Sequence, residues 1–209
     1  MRRTRDPRPV YPPEWESSTL YDAAVPGIGD CVCSPADWIS PNPDGGYRDN
    51  PPAGDGKHVI LTDTDHLWGI GGSQSWVWKS FLRGLNPLFM DPYDGTVLGT
   101  RFDPQWEPIR KSMGLAARIA EQTDLGALQP DIDLASTGYC LASRGAEYLA
   151  YAPEGGEFSI DLSAAQRRAK VRWLDPSRGT FRTAADVEGG QRQVFRSNGQ
   201  GDAVVHVKF

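Results

Sequence analysis

The sequence predicts an α/β unit built on short parallel strands, followed by an all-β antiparallel sandwich. Three observations carry this prediction. Between Lys57 and Gly95, two short apolar runs flank one helix-like segment, the pattern of a βαβ unit. From about Gln129 onward the period of the apolar residues changes from helical to strand-like. Turn signals such as Ser143-Arg144-Gly145 and Pro153-Glu154-Gly155-Gly156 then separate a series of short strands.

Residues 1 to about 56 show little periodicity. Pro, Gly, Asp and Ser dominate in PPEWESS, SPADWISPNPDGG and DNPPAGDG. This composition predicts an extended loop, with turns at Asn42-Pro43, Asp44-Gly45-Gly46 and Pro51-Pro52. A structureless loop of that length is unusual in a compact domain, which points to a functional loop or a remnant of something larger. Trp38, Tyr47 and Arg48 are its anchors. They either pin the loop to the body or, in the case of Trp38, line a site.

His58–Thr62 (HVILT) is rich in β-branched residues and predicts a strand buried on both faces. Asp63-Thr64-Asp65-His66 follows at once, then the flexible Gly69-Ile70-Gly71-Gly72. Ser73 or Ser75 can cap a helix over Trp76–Arg83, whose Trp78, Phe81 and Leu82 share one face. Gly84, Asn86 and Pro87 end it, and Leu88–Met90 is the next strand, broken by Asp91-Pro92-Tyr93-Asp94-Gly95. A second helix is expected from Pro104 to about Gln122, with Ile109, Met113, Ala116 and Ala120 at helical spacing. Seven strands should follow, over 138–143, 147–151, 157–162, 170–174, 180–183, 193–196 and 203–209. The boundary between the two domains, 1–128 and 129–209, is expected near Leu128.

Composition narrows the function. The net charge of -5 argues against a nucleic-acid partner. No apolar run is long enough to span a bilayer, so no membrane partner is expected. The opening MRRTRDPRPVYPPEW has basic residues without an apolar core behind them and does not resemble a secretory signal. Cys31 and Cys33 are too close for an easy disulfide, and Cys140 sits in a strand-like run as a small hydrophobe. Three free thiols are the expectation. His58, His66 and His206 are scattered and no His/Cys pair has zinc spacing, so neither a metal nor another cofactor is expected. The glycines after Trp68 lack the Lys and the Ser/Thr spacing of a phosphate loop.

Two clusters remain. Asp63, Asp65 and His66 follow a buried strand, where parallel folds place catalytic groups. On an extended backbone Asp63 and Asp65 would point the same way. A carboxylate there can be a nucleophile, a general base or a metal ligand, or it can simply cap backbone N–H groups of a turn. Asp91, Tyr93 and Asp94 end the next strand and could share the same cleft, or form only a turn. Trp68 is the best candidate for a sugar-stacking platform, while Trp78 and Trp173 fit the core better.

The segments SPADWISPNPDGGYRDNPP, VILTDTDHLWGIGG and WVWKSFLRGLNPLFMDPYD, together with the β-rich tail, resemble the C-terminal part of apiosidase-like glycoside hydrolases. The resemblance covers roughly residues 34 to 209. In that family a cellulase-like (β/α)8 barrel is followed by a β-sandwich labelled as collagen-binding. The resemblance implies a partial (β/α)8 barrel, its last two βα units, with His58–Thr62 as the seventh strand and Leu88–Met90 as the eighth. It implies a carboxylate nucleophile after strand seven, at Asp65 or Asp63, with Asp65 preferred. His66, Trp68, Asp91 and Tyr93 would line the substrate subsite, and the partner would be a carbohydrate. The acid/base carboxylate of strand four has no counterpart in this sequence. The expectation is therefore a truncated product, inactive alone, whose further partner is the missing N-terminal barrel half. A non-catalytic carbohydrate-binding or structural sandwich is the alternative. Members of the family often act outside the cytoplasm.

Overall fold

Residues 37–41, 44–69, 71–90 and 103–209 are described by the computed structural model. The first sheet is a parallel one of three strands, β1 (Trp38–Ile39), β2 (Val59–Asp63) and β3 (Asn86–Leu88), in the order β1-β2-β3. The register sets Ile39 beside Ile60 on one face, and Trp38 beside Val59 on the other. Asp63 lies opposite Leu88. The Trp38–Ile39 strand corrects the expectation of a structureless loop up to residue 56. A two-residue strand shows no alternation, and the nearby prolines hide it.

Three helices follow β2 and β3. Asp63 caps the short α1 (Thr64–Trp68). Ser73, rather than Ser75, caps α2 (Gln74–Phe81) by accepting from the Trp76 N–H at 3.1 Å. A 3-10 turn at Pro104–Trp106, capped by Asp103, leads into α3 (Glu107–Ala120). Pro108 sits in its first turn, where a missing N–H costs nothing. The third strand starts two residues earlier than the sequence suggests, because Leu61 pairs with Asn86 and the Asn86 amide donates to the Ile60 carbonyl at 3.2 Å.

The remaining strands are β4 (Gln129–Pro130), β5 (Cys140–Ser143), β6 (Glu147–Ala152), β7 (Gly155–Asp161), β8 (Arg168–Asp175), β9 (Thr180–Thr183), β10 (Val187–Glu188), β11 (Arg192–Gln200) and β12 (Ala203–Lys208). Seven match the expected runs; β4 and β10, two residues each, are new. All pairings are antiparallel. A large sheet runs β10-β8-β12-β6-β5-β4, with β9 on the same edge of β8 as β10, and β11 pairs with β7 in a second, two-stranded sheet.

Strand β6 is buried along its whole length. Tyr148, Ala150 and Ala152 face the core under the two-stranded sheet, with Phe158, Ile160 and Phe195. Leu149 and Tyr151 face the other way, onto Trp78 of α2, Leu82 at its C-cap, and Leu115, Ala116 and Ile119 of α3. The helices thus cover the sheet from outside. Their opposite surfaces, through Trp76, Val77 and Ile109, pack with Ile60, Leu67 and Tyr47 under the parallel sheet. Trp78 and Trp173 are core, as the sequence suggests.

Polar clasps reinforce this sandwich of layers. The Asp202 carboxylate accepts from the Gln74 amide at 2.9 and 3.0 Å and from the Tyr151 hydroxyl at 3.0 Å. Arg83 at the end of α2 donates to the carbonyls of Pro51 and Gly138 and lies 4.4 Å from the centroid of the Tyr139 ring. Cys140 is buried among these strands, which pushes its thiol up to about 12 and leaves it unreactive at neutral pH. Cys31 and Cys33 lie outside the described residues.

Candidate functional site

The site forms at the C-terminal ends of the three parallel strands. A turn delivers β2 to it. The Asp55 carboxylate accepts the N–H groups of Lys57 and His58 at 2.9 and 3.0 Å, and the His58 ring lies 2.6 Å away. These bonds, the His58 N–H first, hold Asp55 down to about 2.

At the far end of β2 the chain does not stay extended. Asp63 is the N-cap of α1 and its Oδ1 accepts the Asp65 N–H at 2.9 Å. This corrects the expectation that Asp63 and Asp65 project side by side from a strand. The Asp63 side chain closes the turn, and Asp65 rides on the first turn of the helix, exposed to solvent. Thr64 is buried, and its hydroxyl accepts the Met90 N–H at 2.8 Å, which ties the end of β2 to the chain leaving β3. Leu67 anchors α1 in the core below.

His66 is exposed, and its Nδ1 lies 2.8 Å from the Ser40 hydroxyl, immediately after β1. Trp68 is half-buried. Its ring meets Trp76 edge-on at 5.3 Å, and the Arg48 guanidinium sits 5.5 Å from its centroid. A sugar approaching Trp68 therefore meets an Arg–Trp pair rather than a bare ring. Gly71 permits this arrangement, because a Cβ there would come within 2.9 Å of the Trp68 side chain.

Asp63, Asp65, His66 and Trp68 are thus gathered on one short segment at one end of the sheet. Asp91, Tyr93 and Asp94 lie outside the described residues. Among the described residues no group of three or more His, Cys, Asp or Glu is placed to hold a metal ion, and no helix is long and apolar enough to cross a membrane. Sequence reasoning missed Ser40 and the contact of Arg48 with Trp68. Recognising Trp38–Ile39 as a strand would have placed Ser40 at the same sheet end as His66.

Among the described residues, the face of the parallel sheet away from the helices is exposed, which corrects the expectation of a strand buried on both faces at His58–Thr62. Trp38 is 60% exposed, Val59 50%, Leu88 43% and Met90 49%. Parallel sheets are ordinarily covered on both faces, so this exposed apolar face is unusual for its kind.

The comparisons with known proteins agree with this architecture. A protein-family model described as "Putative collagen-binding domain of a collagenase" matches residues 131–207, less than half of the chain. A solved structure named "Glycoside hydrolase" aligns with a TM-score of 0.52 at 12% identity, over 74% of this chain and 43% of that one. A glycoside hydrolase family 5 protein from Bacteroides vulgatus ATCC 8482 aligns with a TM-score of 0.50 at 15% identity, over 65% of this chain and 35% of that one. No curated protein matches in sequence. At these identities the likeness is one of fold. The fold is glycoside-hydrolase-like, with mixed α/β and all-β sheets, and the chain spans less than half the length of the glycoside hydrolases it resembles.

Proposed function

We propose that this chain is the C-terminal part of a carbohydrate-cleaving enzyme of the apiosidase-like type, holding one half of a two-carboxylate site. In this reading residues 1–128 belong to a (β/α)8 barrel and residues 129–209 form an accessory sandwich. One observation carries it: Asp63, Asp65, His66 and Trp68 stand together at the C-terminal end of a parallel sheet with one exposed face. Asp65 is the better nucleophile candidate, since Asp63 is engaged as a helix cap while the Asp65 side chain is exposed. His66 and the Arg48–Trp68 pair would bind and orient the sugar, with Asp91 and Tyr93 completing the subsite.

Glycosidic cleavage by this route needs a second carboxylate, about 5 Å from the first in retaining enzymes. The expected partner is therefore a further set of βα units that covers Trp38, Val59, Leu88 and Met90 and brings that carboxylate. Alone, the 209-residue chain is expected to release no sugar from a plant-glycan panel. Joined to a barrel half encoded upstream, it should hydrolyse at least one glycan, and Asp65→Asn should abolish this. Sugar release by the isolated chain that disappears in Asp65→Asn would sink the half-site reading.

A second reading, non-catalytic carbohydrate binding by the sandwich, draws on an open groove of about 260 Å³ lined in part by Asp175, Asp202, Arg178, Arg182 and Thr180. Its charges balance, which suits a neutral polyhydroxylated ligand. Trp173 lies beneath Arg182 and is not free for stacking. Calorimetric titration of the full chain with oligosaccharides tests this reading. Heat of binding that Arg182→Ala removes would favour it.

A further inference from the structure

We infer that Ser40 is a positioning residue of this site, which holds His66 in the tautomer that presents its Nε2–H outward. The two residues come from different elements, Ser40 from the chain leaving β1 and His66 from α1. They meet across 26 positions of sequence at the same end of the parallel sheet, with 2.8 Å between the hydroxyl oxygen and Nδ1.

A serine hydroxyl can donate or accept, and a neutral imidazole has one nitrogen of each kind. The unprotonated ring nitrogen is a much stronger base than a hydroxyl oxygen. The stronger pairing therefore has the hydroxyl donating to Nδ1, which leaves the ring proton on Nε2. The partner on one ring nitrogen thus decides what the other offers. Ser40 has no other hydrogen-bond partner among the described residues, and His66 Nε2 has none. Nε2–H is thereby left as a directed donor on an exposed ring, next in sequence to the Asp65 carboxylate. Without Ser40 the ring could rotate and exchange tautomers. With it, the site offers a fixed donor at His66 beside the exposed Asp65 carboxylate.

That the donor serves a sugar oxygen rests on the function proposed above; the tautomer does not. The test is a long-range proton–nitrogen correlation spectrum of the ¹⁵N-labelled full chain, recorded without ligand at a pH above the ordinary histidine range. The expected wild-type pattern shows His66 protonated on Nε2. Ser40→Ala should draw both ring nitrogens toward averaged positions, and Ser40→Thr should restore the wild-type pattern. The other two histidines, His58 held by Asp55 and His206 held by Glu147, report whether each variant is folded. A wild-type His66 protonated on Nδ1 overturns the inference even where Ser40→Ala is poorly folded. So does a folded Ser40→Ala whose His66 pattern is unchanged. Adding cellohexaose to the same sample is a separate arm. Absence of any sugar-induced shift alongside the expected tautomer would count against the glycan reading while leaving the role of Ser40 supported.

Discussion

The two main sheets of this molecule meet their surroundings in opposite ways. The antiparallel sheet is covered twice, by β7 and β11 on one side and by α2 and α3 on the other. Among the described residues the parallel sheet is covered once, by the helices, and turns Trp38, Val59 and Leu88 to solvent. Parallel strands are usually the more deeply buried kind, so the normal order is reversed. The difference separates a sheet enclosed on both faces from one whose second face, among the described residues, is exposed. The candidate site lies at the end of the exposed sheet.

The comparison is open to direct attack. Trp78 is fully buried at the junction of α2 and the large sheet, against Tyr151 and Phe81. Trp78→Ala should lower the unfolding free energy by about 3–5 kcal/mol in a denaturant titration. A loss below about 1 kcal/mol would mean that the helices do not truly cover the sheet. Two leucines sharpen the contrast. Leu149→Ala, on the doubly covered sheet, should cost about 2–5 kcal/mol. Leu88→Ala, on the open face, should fall within about 0.5 kcal/mol of wild type. Equal costs would erase the distinction between the sheets.

Smaller effects probe the clasps. Asp202→Ala removes the acceptor shared by Gln74 and Tyr151, and should cost about 1–3 kcal/mol. An unchanged melting temperature would show that the layers hold by apolar packing alone. The smallest expected effect is a pH dependence. Burial pushes His206 down, and outweighs the Glu147 carboxylate 2.6 Å away and any opposition from it; Lys208 and Arg172 push in the same direction as burial. The folded state then binds fewer protons at this ring than the unfolded state. Stability should fall as pH drops below about 6.5, by at most about 1.4 kcal/mol per pH unit. His206→Gln should flatten that slope in melts taken across the range, and an identical slope would assign it to another group.

Several of these features are already legible in the residues. The change of apolar period near Gln129 marks where helices give way to strands, and seven of the nine strands beyond it follow the expected runs. Trp78 and Leu82 lie on the helix face that their spacing predicts. Asp63 and Asp65 are harder. Their spacing suggests side-by-side carboxylates, but an Asp at a strand end can equally close a helix cap, and the cap prevails. The strand Trp38–Ile39 could not be seen, because two residues carry no period.

The classes of element and the residues competent for chemistry can be read locally. Both depend on local properties: the spacing of apolar side chains, the turn-forming residues and the acid–base character of individual groups. Which groups meet is set by the packing of distant segments. Ser40 reaches His66, Arg48 covers Trp68, and Thr64 ties β2 to the end of β3, each across twenty or more positions of chain. The same packing sets which sheet face is closed and which is open. Those outcomes follow from strand order and register, which arise from packing between distant segments and leave no local trace.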